Sequence, residues 1–270
     1  MSNTLITFGD SFTYGEALIY EIIQKDHPFQ SEKNMRQPQN FNGHDMFILS
    51  EMIKDFDDYR KENNYSYFLK ELLNVSLISN YKNGGRNVDR LIDLDFIIEK
   101  LQYFKDIKPK YLVFQLTYFC RDIEDMILPN VANEEYVKKT YGNKLIDKVK
   151  NSSKYEKEVW NVDELLNEST EIFIDELTKR FKILEKNYGT KCVFFFGLGS
   201  INVIKDNYES YKPNPYFMEI INNNVLYYTW LDMNQLLNLT IRKTTGFNDD
   251  HPSSISHKWI AHGLFKKLTS

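Results

Sequence analysis

Two distant stretches of the chain hold the residue types that acyl chemistry needs. The first is FGDSFTYG, residues 8–15, in which a short apolar run stops at Gly9-Asp10-Ser11. A serine hydroxyl is a poor nucleophile unless a base stands within hydrogen-bond reach and a third group holds that base. The second stretch, NDDHPSSISH over residues 248–257, carries both types, with Asp249 two residues before His251. An acid at that spacing can accept from one ring nitrogen and leave the other free as a base. Taken alone, Gly-Asp-Ser reads as a turn with an N-capping serine. Its pairing with Asp-x-His moves the reading of Ser11 towards a nucleophile.

These residues need a scaffold that exposes one hydroxyl at a corner. Leu5–Phe8 read as a buried strand ending at Gly9, followed by helical spacing from Tyr14 to Gln24. Helices are expected at 45–58 and 64–74, and a second strand at Leu77–Tyr81, stopped by Asn83-Gly84-Gly85. The apolar spacing from Asn87 to Tyr103 predicts a helix, Pro109 a break, and Tyr111–Thr117 a third, fully buried strand. A long amphipathic helix over Val162–Tyr188 is closed by Gly189. Strands are expected at Cys192–Leu198 and Val225–Trp230, and a last helix at Ser254–Leu268. Strands alternating with helices predict an α/β fold with a largely parallel sheet covered on both faces. Ser11, Gly85 and Thr117 all follow strand ends, where reactive groups gather in such sheets. The chain reads as one domain with two insertions, at about 26–63 and, polar and with some helix, at about 121–160.

Together, FGDSFTYG after the first strand, NGGRN after the second and D-x-HPS-(x)3-H near the end resemble the SGNH (GDSL-type) hydrolase family. The resemblance follows motif order from residue 4 to about 268 and leaves both insertions unexplained. It implies a three-layer α/β/α, flavodoxin-like sandwich and cleavage of acyl esters. It implies Ser11 as nucleophile and, through its N–H, first oxyanion donor. Gly85 becomes the second donor, His251 the general base and then acid, and Asp249 the residue that orients it. Two departures stand out. The family's Gly-x-Asn-Asp after the third strand is replaced by QLTYFCRD, so the third donor falls to the Thr117 hydroxyl or to Asn87 from the second motif. The family's acid commonly stands three residues before the histidine, where this chain has Asn248; Asp249 is preferred to Asp250, which adjoins the base.

Other residues have competing readings. Asp10 is expected to bond turn N–H groups. Tyr14 is a candidate pocket wall or a core tyrosine. Arg121 is a candidate for holding an anionic substrate group, against the commoner fate of a surface ion pair. His257, on the final helix, is expected to be structural. His27 and His44 have no partner at metal-ligand spacing, so neither metal nor cofactor is expected. The glycines at 84, 85, 197 and 199 match neither the dinucleotide nor the P-loop pattern.

Composition narrows the classes further. Aromatics make up 15% of the 270 residues, nearly all of them tyrosine and phenylalanine, which suits a packed globular protein and not a disordered one. A net charge of −4, with both signs interspersed, offers no basic footprint for nucleic acid or an anionic membrane. Cys120 and Cys192 make no disulfide framework. With neither a signal-peptide pattern nor an apolar run of membrane-spanning length, a cytoplasmic location is expected.

The expected function is therefore a serine esterase acting on a small-molecule or glycan ester, O-acetyl groups on carbohydrates being plausible by analogy with the family. An acyltransferase would use the same residues. A non-catalytic module that binds a glycan or joins an assembly through the retained cleft is the reading from a different class.

Overall fold

The computed structural model describes residues 2–10, 13, 18, 56–81, 85–103, 107–117, 119–127, 134–155, 162–197, 208–219 and 254–270. Along the chain run β1 (Ser2–Gly9), α1 (Phe56–Asn63), α2 (Tyr65–Leu73), β2 (Ser76–Tyr81), α3 (Asn87–Leu101) and β3 (Ile107–Leu116). They are followed by α4 (Cys120–Ile127), α5 (Glu134–Tyr155), α6 (Val162–Tyr188), β4 (Lys191–Phe196), the one-turn α7 (Tyr208–Tyr211) and α8 (Ser254–Thr269). The described elements cluster into two compact units. One holds the four strands with α3 to α7; the other holds Thr13, Leu18, α1, α2 and α8 up to Lys266.

In the first unit all strand pairs are parallel, in the order β2-β1-β3-β4. α3 lies against β1 and β2, α6 lies against β3 and β4, and α5 packs on α4 and α6. This is the α/β architecture of a flavodoxin-like, three-layer α/β/α sandwich. Buried on both faces, β3 and β4 carry continuous apolar runs, the LVF of β3 and the VFFF of β4, whereas the edge strand β2 is half exposed. Phe8 and Phe114 stack at 5.6 Å, and Phe173 of α6 joins Phe114, Phe119 and Tyr141 into one aromatic core. A polar fork ties three helices together. Arg180 of α6 holds Asp95 of α3 through Nε at 2.7 Å and Nη2 at 2.9 Å, and Tyr136 of α5 donates to the same carboxylate. Bidentate guanidinium–carboxylate pairing of this kind fixes orientation as well as adding energy.

Several sequence expectations are corrected. Pro109 does not break the chain but lies inside β3. β4 begins opposite Tyr111, so no β4 residue pairs with Pro109, and the β1 ladder shifts register between Thr4 and Leu5 beside it. Proline is tolerated at such an irregularity because no ladder donor is required. The stretch over 121–160, expected to hold some helix, forms most of α4 and α5, burying Ile123, Met126, Val137, Tyr141, Leu145, Ile146 and Val149. Residues 59–63, expected to separate two helices, belong to α1. The helix over 162–188 ends as expected, at Gly189 with φ +66°. The expected helix from Tyr14 to Gln24, apart from the helical Thr13 and Leu18 nearby, and the expected strand at Val225–Trp230 lie outside the described residues.

In the second unit, Asn64 caps α2: its side chain accepts from the Tyr67 N–H at 3.0 Å. Asn74 ends the helix in the left-handed region, φ 51°. No described helix is long and apolar enough to cross a membrane.

Candidate active site

Four residues singled out from sequence, Ser11, Tyr14, Asp249 and His251, lie outside the described residues. The other four, Gly85, Asn87, Thr117 and Arg121, are brought together at one edge of the sheet. The cause is topological: in an all-parallel sheet every strand presents its carboxyl end to the same side, so Asp10, Gly85 and Thr117 follow the ends of neighbouring strands. The order β2-β1-β3 makes the β1–β3 boundary the point where successive connections turn in opposite directions, the usual place for a ligand crevice.

Asp10 lies at that boundary, 3% exposed. Its carboxylate receives the Gln115 amide at 2.7 Å and the Thr117 hydroxyl, and Arg121 Nη1 stands 3.6 Å away. Two of its partners are therefore side chains at the end of β3 and just beyond it. Gln115 is the polar residue that sequence reasoning passed over. A glutamine inside YLVFQLT, a strand buried throughout, must find a partner, and that requirement was the available signal.

Asn87 and Thr117 form a closed pair. Asn87 Oδ1 accepts from the Thr117 N–H at 2.8 Å, and Asn87 Nδ2 donates to the Thr117 carbonyl at 3.2 Å. The start of α3 is thereby fastened to the end of β3. Arg121, in the first turn of α4, swings back over this edge; its Nη1 donates to the Gly85 carbonyl and to the Thr117 hydroxyl oxygen, both at 3.2 Å. Arg121 is 30% exposed and serves here as a clip across three chain segments.

Behind the edge lies a second layer that sequence did not single out. Asp122 is fully buried; it accepts from the Val88 N–H at 3.4 Å and from the Tyr141 hydroxyl at 2.8 Å. Burial pushes its carboxyl up to about 7, while the bonds from Tyr141, Val88 and Asn87 pull the other way and Asp125 adds to the rise. Burial likewise raises Asp125, which Arg86 Nε meets at 2.7 Å. The buried phenol of Tyr141 is held far above its ordinary range, first by burial and then by the adjacent Asp122. In sequence, Asp122 resembles any acid in the first turn of a helix; only its burial distinguishes it.

In the second unit, His257 of α8 is completely buried. Its Nδ1 accepts from the Tyr65 N–H at 3.1 Å and its ring stacks on Tyr65, centroids 6.0 Å apart. The Tyr65 hydroxyl bonds to Thr13 Oγ1 at 2.7 Å. Among the described residues no group of three His, Cys, Asp or Glu side chains is placed to hold a metal ion.

Comparison with known proteins finds no family model, no curated protein and no solved structure that matches the chain.

Proposed function

We propose that this protein is a serine esterase of the SGNH type, with Ser11 as nucleophile, His251 as base and Asp249 as the residue that orients it. The Ser11 hydroxyl adds to the ester carbonyl as His251 takes its proton. The tetrahedral oxyanion collapses to an acyl-serine, and the proton on His251 goes to the departing alkoxide. Water, deprotonated by His251, then adds to the acyl carbonyl; the bond to Ser11 Oγ breaks, His251 returns the proton to Ser11 and the acid leaves. Acyl esters of small molecules or glycans are the substrate class the motifs point to.

One observation carries the proposal. The residue immediately before Ser11, Asp10, is anchored at the β1–β3 boundary by Gln115 and Thr117. Asp10 is thereby held at the carboxyl edge of a parallel sheet, and Ser11 is the next residue in sequence. Preorganised attachment of this kind is what a nucleophile on a strand-to-helix turn requires. A turn served only by an N-capping serine has no need of a buried carboxylate held by two side chains at the end of the neighbouring strand.

The test is turnover of a chromogenic acetate ester, with fluorophosphonate labelling mapped by peptide mass. Wild type should turn over the ester and carry the label on Ser11. Ser11→Ala should lose both, and His251→Ala should slow labelling by a factor of about 100 or more. Equal turnover by wild type and Ser11→Ala, or a label on another residue, would overturn the proposal in favour of a binding module.

A further inference from the structure

We infer that Tyr65 is a positioning residue that sets the spacing between the Ser11 turn and the His251 segment; this rests on the esterase reading above. Tyr65 is the first residue of α2 and is 1% exposed. The first N–H groups of a helix have no partner within it and must find one elsewhere. Asn64 satisfies the N–H of Tyr67. The N–H of Tyr65 is satisfied from another helix, by Nδ1 of His257 at 3.1 Å. An imidazole nitrogen can accept only when it carries no proton, so this bond places the ring proton on Nε2.

At its other end the same residue reaches a different segment. The Tyr65 hydroxyl and Thr13 Oγ1 are 2.7 Å apart and buried. Thr13 stands two residues after Ser11, and His257 stands six residues after His251. One rigid side chain thus bonds the segment that carries the proposed nucleophile, while its backbone bonds the helix that follows the proposed base. The stacking of Tyr65 on His257, 23° between ring planes, removes rotational freedom from both rings. A base must meet its nucleophile within a few tenths of an ångström, and displacements of about 1 Å cost about 100-fold in rate. A bridge between the two segments is the part of the fold that can hold that tolerance.

The test uses Tyr65→Phe, which keeps the ring stack and the backbone bond and removes only the hydroxyl. Thr13→Val removes the partner, and Thr13→Ser restores a hydroxyl at the same place. The readouts are the fluorophosphonate labelling rate of Ser11, kcat and KM on the chromogenic ester, and the thermal midpoint. The inference expects Tyr65→Phe and Thr13→Val each to slow labelling and kcat by roughly 10- to 100-fold with KM within about threefold. It expects the double variant to be no slower than either single one and Thr13→Ser to recover most of the rate. A lowered thermal midpoint with an unchanged labelling rate in Tyr65→Phe would make the residue purely structural and overturn the inference. Additive effects in the double variant would do the same. Failure of the wild-type protein to label at Ser11 would instead end the esterase reading and this inference with it.

Discussion

The Asn87 side chain and the Thr117 backbone are bonded in both directions, accepting at 2.8 Å and donating at 3.2 Å. A single carboxamide therefore satisfies both polar groups of a buried residue that has just left β3, where the ladder no longer serves it. Both groups would otherwise carry the cost of burial without a partner.

Replacing Asn87 with alanine strands the Thr117 N–H and carbonyl together. The expected loss is about 2–4 kcal/mol of unfolding free energy, measured by urea denaturation at constant m-value. Asn87→Asp keeps the acceptor and places a carboxylate oxygen against the Thr117 carbonyl. Its deficit should exceed that of a neutral isostere and shrink as the medium is acidified enough to protonate the new group. A loss below about 0.5 kcal/mol for Asn87→Ala would show that the pair does not hold the edge.

Asp122 makes the stability of the protein depend on pH in an unusual sense for an acid. Its native carboxyl is pushed up to about 7, against an ordinary value of 3.8. Between about pH 4 and pH 7 the folded protein therefore keeps a proton that the unfolded chain has released. With more protons bound in the native state, stability falls as pH rises through this window and levels off above it. The groups around it are Tyr141 of α5, Val88 and Asn87 of α3, and Asp125 of its own helix, itself paired with Arg86. Asp122→Asn removes the titration while keeping polar atoms for Val88 and Tyr141. Chemical denaturation across pH 4–8 should show a smaller downward slope for the variant than for wild type. Identical slopes would place the titrating group elsewhere.

Gly197, the residue after β4, leaves room for the side chain that holds Asp10. A methyl group added there would lie 2.8 Å from Gln115 Nε2 and 3.2 Å from the Leu116 carbonyl oxygen. The amide cannot simply swing aside, because it is bonded to Asp10 at 2.7 Å and lies 3.4 Å from the same carbonyl. Gly197→Ala should cost about 1–3 kcal/mol and slow the labelling of Ser11 through the loosened Asp10. Gln115→Ala in the same background should relieve much of the stability penalty, since the clash partner is gone. A stable, fully labelled Gly197→Ala protein would refute the argument.

Most of the architecture was legible before any coordinates, because secondary structure is written in local periodicity. The helices over 87–101 and 162–188 and the four strands of the sheet follow from the spacing of apolar residues within each segment. Over 121–160 some helix was legible but not its bounds, because charged residues crowd the apolar spacing, and the proline of β3 looked like a break because its bulge depends on a neighbouring strand.

By itself the sequence determined the residue types on which the proposed chemistry rests, and the alternation that makes a parallel sheet. It placed Gly85 and Thr117 after strands without saying what they touch. Tertiary structure alone decided that the Gln115 amide meets Asp10 across 105 residues, that Asn87 clasps Thr117 across 30, and that His257 caps the first turn of α2 across 192. Strand order, register and burial bring such partners together. These are properties of the whole packed chain, in which a shift of one residue along β3 would turn Gln115 to the opposite face.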